Sequence, residues 1–257
     1  MAENVLAPGK RPNRPCGYWA GLVRFADLPG LVENVLLKSY SMARSALALT
    51  ITQAVKLGLA PLLGKEKFKK RGTTFYQITP ESNRLVLVES SQWNSSSQSR
   101  FTIELGLYFP AIDAVTNETW TKAGAEQWNP KIYNCQLRQR IGFLMPVGRD
   151  FWWTVTPSSN ANDLALELAE AWQQYGAPWM RSNADLPHAA TRLEAESGFL
   201  LAAEARLALG ERAEASRLAR QYVVSLTKEA PHPPNAAIIE KYLREIREWC
   251  ARHELEL

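Results

Sequence analysis

The period of apolar and polar positions changes along the chain, and each change marks an element. From Ser45 to Leu63, apolar residues Leu47, Ile51, Val55, Leu59 and Leu62 recur at spacings of four and three, which predicts a core-facing helix closed by Pro61 and Gly64. Lys56 and Gln53 interrupt that run, so it reads as a core helix and not as a membrane span. From Lys67 onward the pattern becomes β-like. Thr73–Thr79 and Arg84–Ser91 are rich in β-branched and aromatic residues, with Pro80-Glu81-Ser82-Asn83 between them as a turn. In Arg100–Phe109, Phe101, Ile103, Leu105 and Leu107 alternate with Thr102, Glu104 and Gly106, which sends the two sets to opposite sheet faces. Short connections predict antiparallel neighbours.

Further strands are expected around Leu137 and over Asp150–Thr156, where Trp152 and Trp153 must face opposite sides. Between them and the third strand, Ala111–Pro130 reads as a loop with room for a short helix. Asn160–Tyr175 is a capped amphipathic helix that Gly176 stops. The tail is helical in pattern: Pro187–Leu209, Glu211–Lys228 and Asn235–His253. The expected fold is α+β: a mainly antiparallel sheet of about five strands covered by helices, followed by a C-terminal helical bundle. The expected division is a poorly structured leader over 1–41, an α+β domain over 42–180 and a helical segment over 187–257. The leader is rich in Pro, Gly and Arg, and translation starting at Met42 is one explanation for it.

Composition changes the picture at two points. The net charge of +4 is unevenly placed. Residues 42–160 hold fourteen Lys/Arg against eight Asp/Glu, and residues 161–257 hold eleven against fifteen. Oppositely charged segments fit docking on each other at least as well as a polyanion site. Cys16, Cys135 and Cys250 lie far apart, and the three histidines are scattered. These spacings exclude the usual zinc motifs and a disulfide framework, predict no metal and no cofactor, and fit a reducing cytoplasm.

Candidate chemistry is sparse. Lys65, Lys67, Lys69, Lys70 and Arg71 form a basic cluster around Phe68, which reads either as a phosphate-contacting edge or as a solvated edge strand protected from aggregation. In a strand, Arg138 and Arg140 share one face about 6–7 Å apart, suited to clamping a carboxylate or phosphate. They are equally suited to pairing with Glu89 or Glu104 on neighbouring strands. With Trp93, the residues Lys69, Lys70, Arg71, Arg138 and Arg140 make up the candidate ligand or partner surface. Cys135 reads as a packed thiol, and Asp150 as a turn residue.

Four motifs recur in order: Phe68-Lys69-Lys70-Arg71-Gly72-Thr73-Thr74-Phe75, Phe101-Thr102-Ile103-Glu104-Leu105-Gly106-Leu107-Tyr108, Cys135-Gln136-Leu137-Arg138-Gln139-Arg140-Ile141-Gly142, and Asp150-Phe151-Trp152-Trp153. Over roughly residues 45–180 their order and spacing resemble the bacterial domain-of-unknown-function 4304 family. Glu89 departs from that pattern, which more often has Gln there. The resemblance implies an α+β domain and brings no established catalytic residue. In the tail, Ala202, Ala205, Leu209, Ala213 and Leu218 resemble a tetratricopeptide-like helical hairpin, too short alone for a solenoid.

The leading functional expectation is a non-catalytic protein-interaction module with a protein partner. A nucleic-acid binder using the basic edge is one alternative. An unrecognised hydrolase or transferase using Glu89, Glu104 or Asp150 is the other.

Overall fold

Two-sided burial of one strand dictates the architecture. The computed structural model describes residues 46–116, 130–228 and 236–257; the leader, the start at Met42 and most of the 111–130 loop fall outside them. The described residues lie within one compact unit, Tyr40–Leu257. In order they form helix α1 (Ala46–Lys65), strands β1 (Lys69–Arg71), β2 (Thr74–Ile78), β3 (Asn83–Ser90) and β4 (Ser99–Tyr108), and helix α2 (Pro110–Thr116). Strands β5 (Leu137–Arg140) and β6 (Trp153–Val155) follow, then helices α3 (161–182), α4 (Leu186–Ala195), α5 (Phe199–Ala208), α6 (Arg212–Lys228) and α7 (Ala236–Arg252).

The fold is α+β. The sheet is antiparallel in the order β1-β2-β3-β4-β5, with β6 also pairing β4. One edge of β4 is covered by β3, and the other by β5 and β6 end to end, through Glu104–Leu107 and Ser99–Phe101. Every β4 residue except Arg100 is buried. Phe101, Ile103, Leu105 and Leu107 enter the main core, as their alternation predicts, while Thr102, Glu104 and Gly106 occupy the second face. Trp153 stacks on Phe101 at 5.5 Å and Phe68 meets the Trp172 ring edge-on at 6.1 Å, so three of the four motifs supply aromatic packing to one core.

Helices α1 and α3 cover the main-core face, and both run through a proline; the sequence pattern closes the first at Pro61 and Gly64 and stops the second at Gly176. Inside a helix, proline lacks the N–H and its ring clashes with the carbonyl four residues back. Each helix inserts a π-turn just before its proline, Val55–Leu59 ahead of Pro61 and Trp172–Gly176 ahead of Pro178, and continues to Lys65 and Ser182. The extra residue rotates the buried stripe of α1 onto Leu63, leaving Leu62 only partly buried. Gly58 lies in the first π-turn, and a Cβ there would overlap the Ala165 carbonyl, so the α1–α3 crossing needs glycine. By length and composition α1 is apolar enough to cross a membrane, yet Leu47, Ile51, Ala54, Val55, Leu59 and Leu63 are buried in the protein core.

The tail differs from its pattern in two places. The expected Pro187–Leu209 helix is broken: Ser197 takes a left-handed φ of 64° and the Gly198 N–H donates to the Leu193 carbonyl, which ends α4 and restarts the chain as α5. The α5–α6 hairpin packs through Ala202, Ala205, Ala215, Leu218 and Ala219, whereas Ala213 is exposed. Gly210, with φ 79°, makes the turn.

The same core cluster runs from the sheet into Leu193, Ala202, Leu218, Ile246 and Trp249. Ion pairs of the tail's described residues stay within the tail, as in Arg217–Glu194, Arg206–Glu211 and Arg212–Glu254. Apolar packing around α2 joins the tail to the sheet, and among the described residues no ion pair crosses between them. The Val115 carbonyl at the end of α2 accepts from Trp249 Nε1 at 3.4 Å and lies 2.9 Å from His253 Nε2. Glu204 of α5 is buried near Asp113 and Thr116 of α2. Burial raises its pKa to about 7, a Thr116 hydrogen bond opposes that, and the Asp113 charge adds to it.

Two outcomes follow from this packing. Gly58→Ala lowers the urea-unfolding free energy by about 3 kcal/mol, the upper part of the range for overpacking, because backbone must move. For Glu204 the folded-state pKa lies above the unfolded one, so its contribution is fully present below about pH 4.5 and is lost as pH rises through 7. Unfolding titrations therefore show Glu204→Gln gaining stability over the parent between pH 5 and 8, by up to about 3 kcal/mol.

Candidate functional site

Register sorts the candidate residues onto two parts of the sheet. Lys69 pairs with Tyr76 and Arg71 with Thr74 on the second face, while Lys70 pairs with Phe75 on the main-core face. Arg138 lies opposite Gly106, and Arg140 opposite Glu104, on the second face. Four inter-strand steps separate β1 from β5, roughly 19 Å at the usual spacing. Lys69 and Arg71 thus share a face with Arg138 and Arg140 but stand at opposite sides of the sheet.

Arg138 and Arg140 sit in a network of carboxylates. Arg138 donates through Nε at 3.0 Å and Nη2 at 2.6 Å to Glu104 Oε1. Arg140 donates to Glu89 Oε2 at 3.0 Å and to Asp150 Oδ2 at 2.7 Å, and its guanidinium lies 5.1 Å from the centre of the Trp152 ring. Thr102 Oγ1 donates to the Phe151 carbonyl at 2.9 Å. These contacts strap residues 150–152 across the second face, and Gly142 permits it, since a Cβ there would come within 2.6 Å of the Arg149 carbonyl oxygen and the Phe151 nitrogen. Of the two arrangements open to Arg138 and Arg140, the structure contains the pairing with Glu104 and Glu89. It also engages all three carboxylates named for an enzyme.

Next to this network a small apolar cluster of Leu85, Tyr108 and Cys135 packs with Tyr76 and Ile132. Gly106 makes room for it: a Cβ would stand 2.6 Å from Ile132 Cδ1 and 2.7 Å from Cys135 Sγ. Burial pushes the Cys135 thiol up to about 12, only partly offset by Arg138, so the thiol is protonated and packed at neutral pH. Tyr108 donates to Asp113 Oδ2 at 2.7 Å, and burial followed by that carboxylate raises its pKa. Gln136 closes the end of β4 by accepting from the Phe109 N–H at 2.8 Å. The sequence reading did not single out Gln136, Tyr108 or Asp113, because each acts through a neighbour brought in by the fold.

The second, third and fourth motifs thus meet at β4, with the first reaching it through β3, and the comparison with known families agrees in extent. Residues 59–182 match the family described as a domain of unknown function (DUF4304). The DUF4304 match starts within α1, includes all six strands and ends with α3, leaving α4–α7 outside it. Neither curated proteins nor solved structures gave a match.

The second group of candidates lies at one end of the sheet. The Val88 N–H donates to the Thr73 carbonyl at 3.0 Å, and the Ser91 N–H to the Arg100 carbonyl at 2.9 Å, so the β1–β2 turn and the β3–β4 loop emerge together. Lys69, Lys70 and Arg71 are all exposed, on the edge strand. Trp93, in the β3–β4 loop, is 85% exposed. Lys70 stands 5.5 Å from the Phe75 ring centre.

Removing Arg138 leaves Glu104 without its guanidinium in a nearly buried position, its side chain 9% exposed. Arg138→Ala should destabilise the chain by about 2 kcal/mol, moderated by the half-exposed arginine. The double variant Arg138→Leu/Glu104→Leu should recover most of that loss, and chemical denaturation of the full mutant cycle measures the coupling.

Proposed function

We propose that this chain is a non-catalytic protein-interaction module whose partner engages the end of the sheet formed by β1 and the β3–β4 loop. The observation that carries this reading is Trp93, 85% exposed at the same end of the sheet as the turn that follows the exposed Lys69-Lys70-Arg71 edge strand. Tryptophan and arginine are the residues most enriched among energetic hot spots, and a large exposed indole has no folding role to explain it. An edge strand also presents unpaired backbone groups to which a partner strand can add. The basic side chains favour an acidic partner surface.

Two further features support the reading. Arg138 and Arg140 already hold Glu104, Glu89 and Asp150, which gives these groups a structural task in place of acid–base chemistry. The α5–α6 hairpin, tetratricopeptide-like in its Ala and Leu-Gly pattern, extends the module with a helical surface. A nucleic-acid reading draws on the same tryptophan and lysines, through base stacking and phosphate contact, and differs in its salt dependence.

The test compares the full chain with Trp93→Ala and with Lys69→Glu/Arg71→Glu, after thermal melting has shown unchanged midpoints. Proteins captured from the source organism should include one that rebinds in purified form and loses at least about tenfold affinity for both variants. Fluorescent single-stranded DNA and RNA 20-mers are titrated in parallel between 50 and 200 mM salt. Tight, steeply salt-dependent oligonucleotide binding lost in the same variants, without a protein partner, would replace the interaction reading with the nucleic-acid one.

A further inference from the structure

Between the first half of α1 and the β1–β2–β3 end of the sheet lies a cavity of ≈ 470 Å³. That volume is within the range of small-molecule sites, roughly 300–1,000 Å³. Its floor is aliphatic, formed by Ile51, Val55 and Val88, which also belong to the main core. Its rim is polar, with Lys70, Ser90 and Asn94. Among the described residues the lining holds one cation, no carboxylate and no aromatic ring.

We propose that this cavity binds a small aliphatic monocarboxylate, its hydrocarbon body on the Ile51–Val55–Val88 floor and its carboxylate on Lys70. The charge pattern selects the head group. Lys70 makes no ion pair among the described residues, and its recorded contact is the face of Phe75. An ammonium at the mouth of an apolar cleft is stabilised by an anion there, and a carboxylate accepts charge-assisted hydrogen bonds from it. Hydroxyl groups take the remaining acceptor capacity: Ser91 Oγ accepts from the Trp93 N–H at 3.2 Å, which leaves its own hydrogen to donate into the cavity. The floor selects the body. Aliphatic walls without a ring offer contact area but no stacking partner, so an alkyl chain gains from burial at about 25 cal/mol per Å² where a planar aromatic gains nothing further. Nothing in this site depends on the protein partner proposed above, although Lys70 borders both.

The proposal is tested on the purified full chain by isothermal titration calorimetry and ¹⁵N-resolved amide shifts, with octanoate, octylamine and 1-octanol as probes. Octanoate should bind saturably and shift the amides of Lys70, Ser90 and Asn94, with octanol weaker and octylamine weakest. Lys70→Gln should weaken octanoate about tenfold while leaving octanol unchanged. Ala48→Trp, at an exposed α1 position on the rim, should fill the cavity and remove octanoate and octanol binding with no change in the melting midpoint. Octylamine binding as tightly as octanoate, insensitivity to Lys70→Gln, retention of binding in Ala48→Trp, or the absence of saturable shifts at millimolar octanoate would each overturn it.

Discussion

The structure depends on β4 being buried on both faces while its two edges are both paired. A strand in that position has little outlet to solvent for its backbone groups, so most of them go into ladders with β3 on one side and β5 and β6 on the other, while the Arg100 N–H donates to Asn94 Oδ1. Its side chains must then meet two different environments. The odd positions, Phe101 to Leu107, are large and apolar and hold the helices. The even positions, Thr102, Glu104 and Gly106, are a hydroxyl, a carboxylate and a hydrogen, and each is answered by a specific neighbour: the Phe151 carbonyl, Arg138, and the Ile132–Cys135 pair. The order of the motifs in the chain follows from that requirement. The Cys135–Gly142 segment and the Asp150–Trp153 segment exist in these positions because β4 needs both a second edge partner and a satisfied second face.

That same requirement changes what the arginines mean. Guanidiniums two residues apart on a strand look like an anion clamp, and the sequence alone leaves clamp and internal pairing equally open. The fold supplies three carboxylates at 2.6–3.0 Å, with Glu104 drawn into a nearly buried position where leaving it unpaired costs more than making the pair gains. The far end of the sheet is different. There Trp93 and the β1 cations have no comparable structural obligation, and the α1-lined cavity opens beside them.

How much of this was legible follows from the range of each interaction. Alternation in Phe101–Tyr108 is a property of adjacent residues, and it gave the right face for every side chain. What could not be read depends on distant partners. Pro61 and Gly176 look like helix stops until a π-turn carries each helix on through Pro61 and Pro178, and the stripe that rewards continuing lies on another helix. Ser197 gives little sign of adopting a left-handed turn that splits one expected helix into α4 and α5. Glu204 looks like any solvated helix carboxylate, and only the approach of α2 buries it. The acidic tail invited an electrostatic account of docking, which the close ion pairs of its described residues neither use nor need: Glu194, Glu211, Glu214 and Glu254 are met by the tail's own arginines, and the main apolar core continues into Ala202, Ala203 and Ala205.

The central claim is that β4 organises a single core extending from the sheet through α2 into the tail. Native-state hydrogen exchange under increasing denaturant measures this most directly. The amides of Ile103–Leu107 in β4 and of Ala202–Ala205 in α5 should merge onto one global unfolding free energy. Exchange of α5 and α6 through a separate opening several kcal/mol below that of β4 would contradict it, and would make the tail an independently unfolding unit.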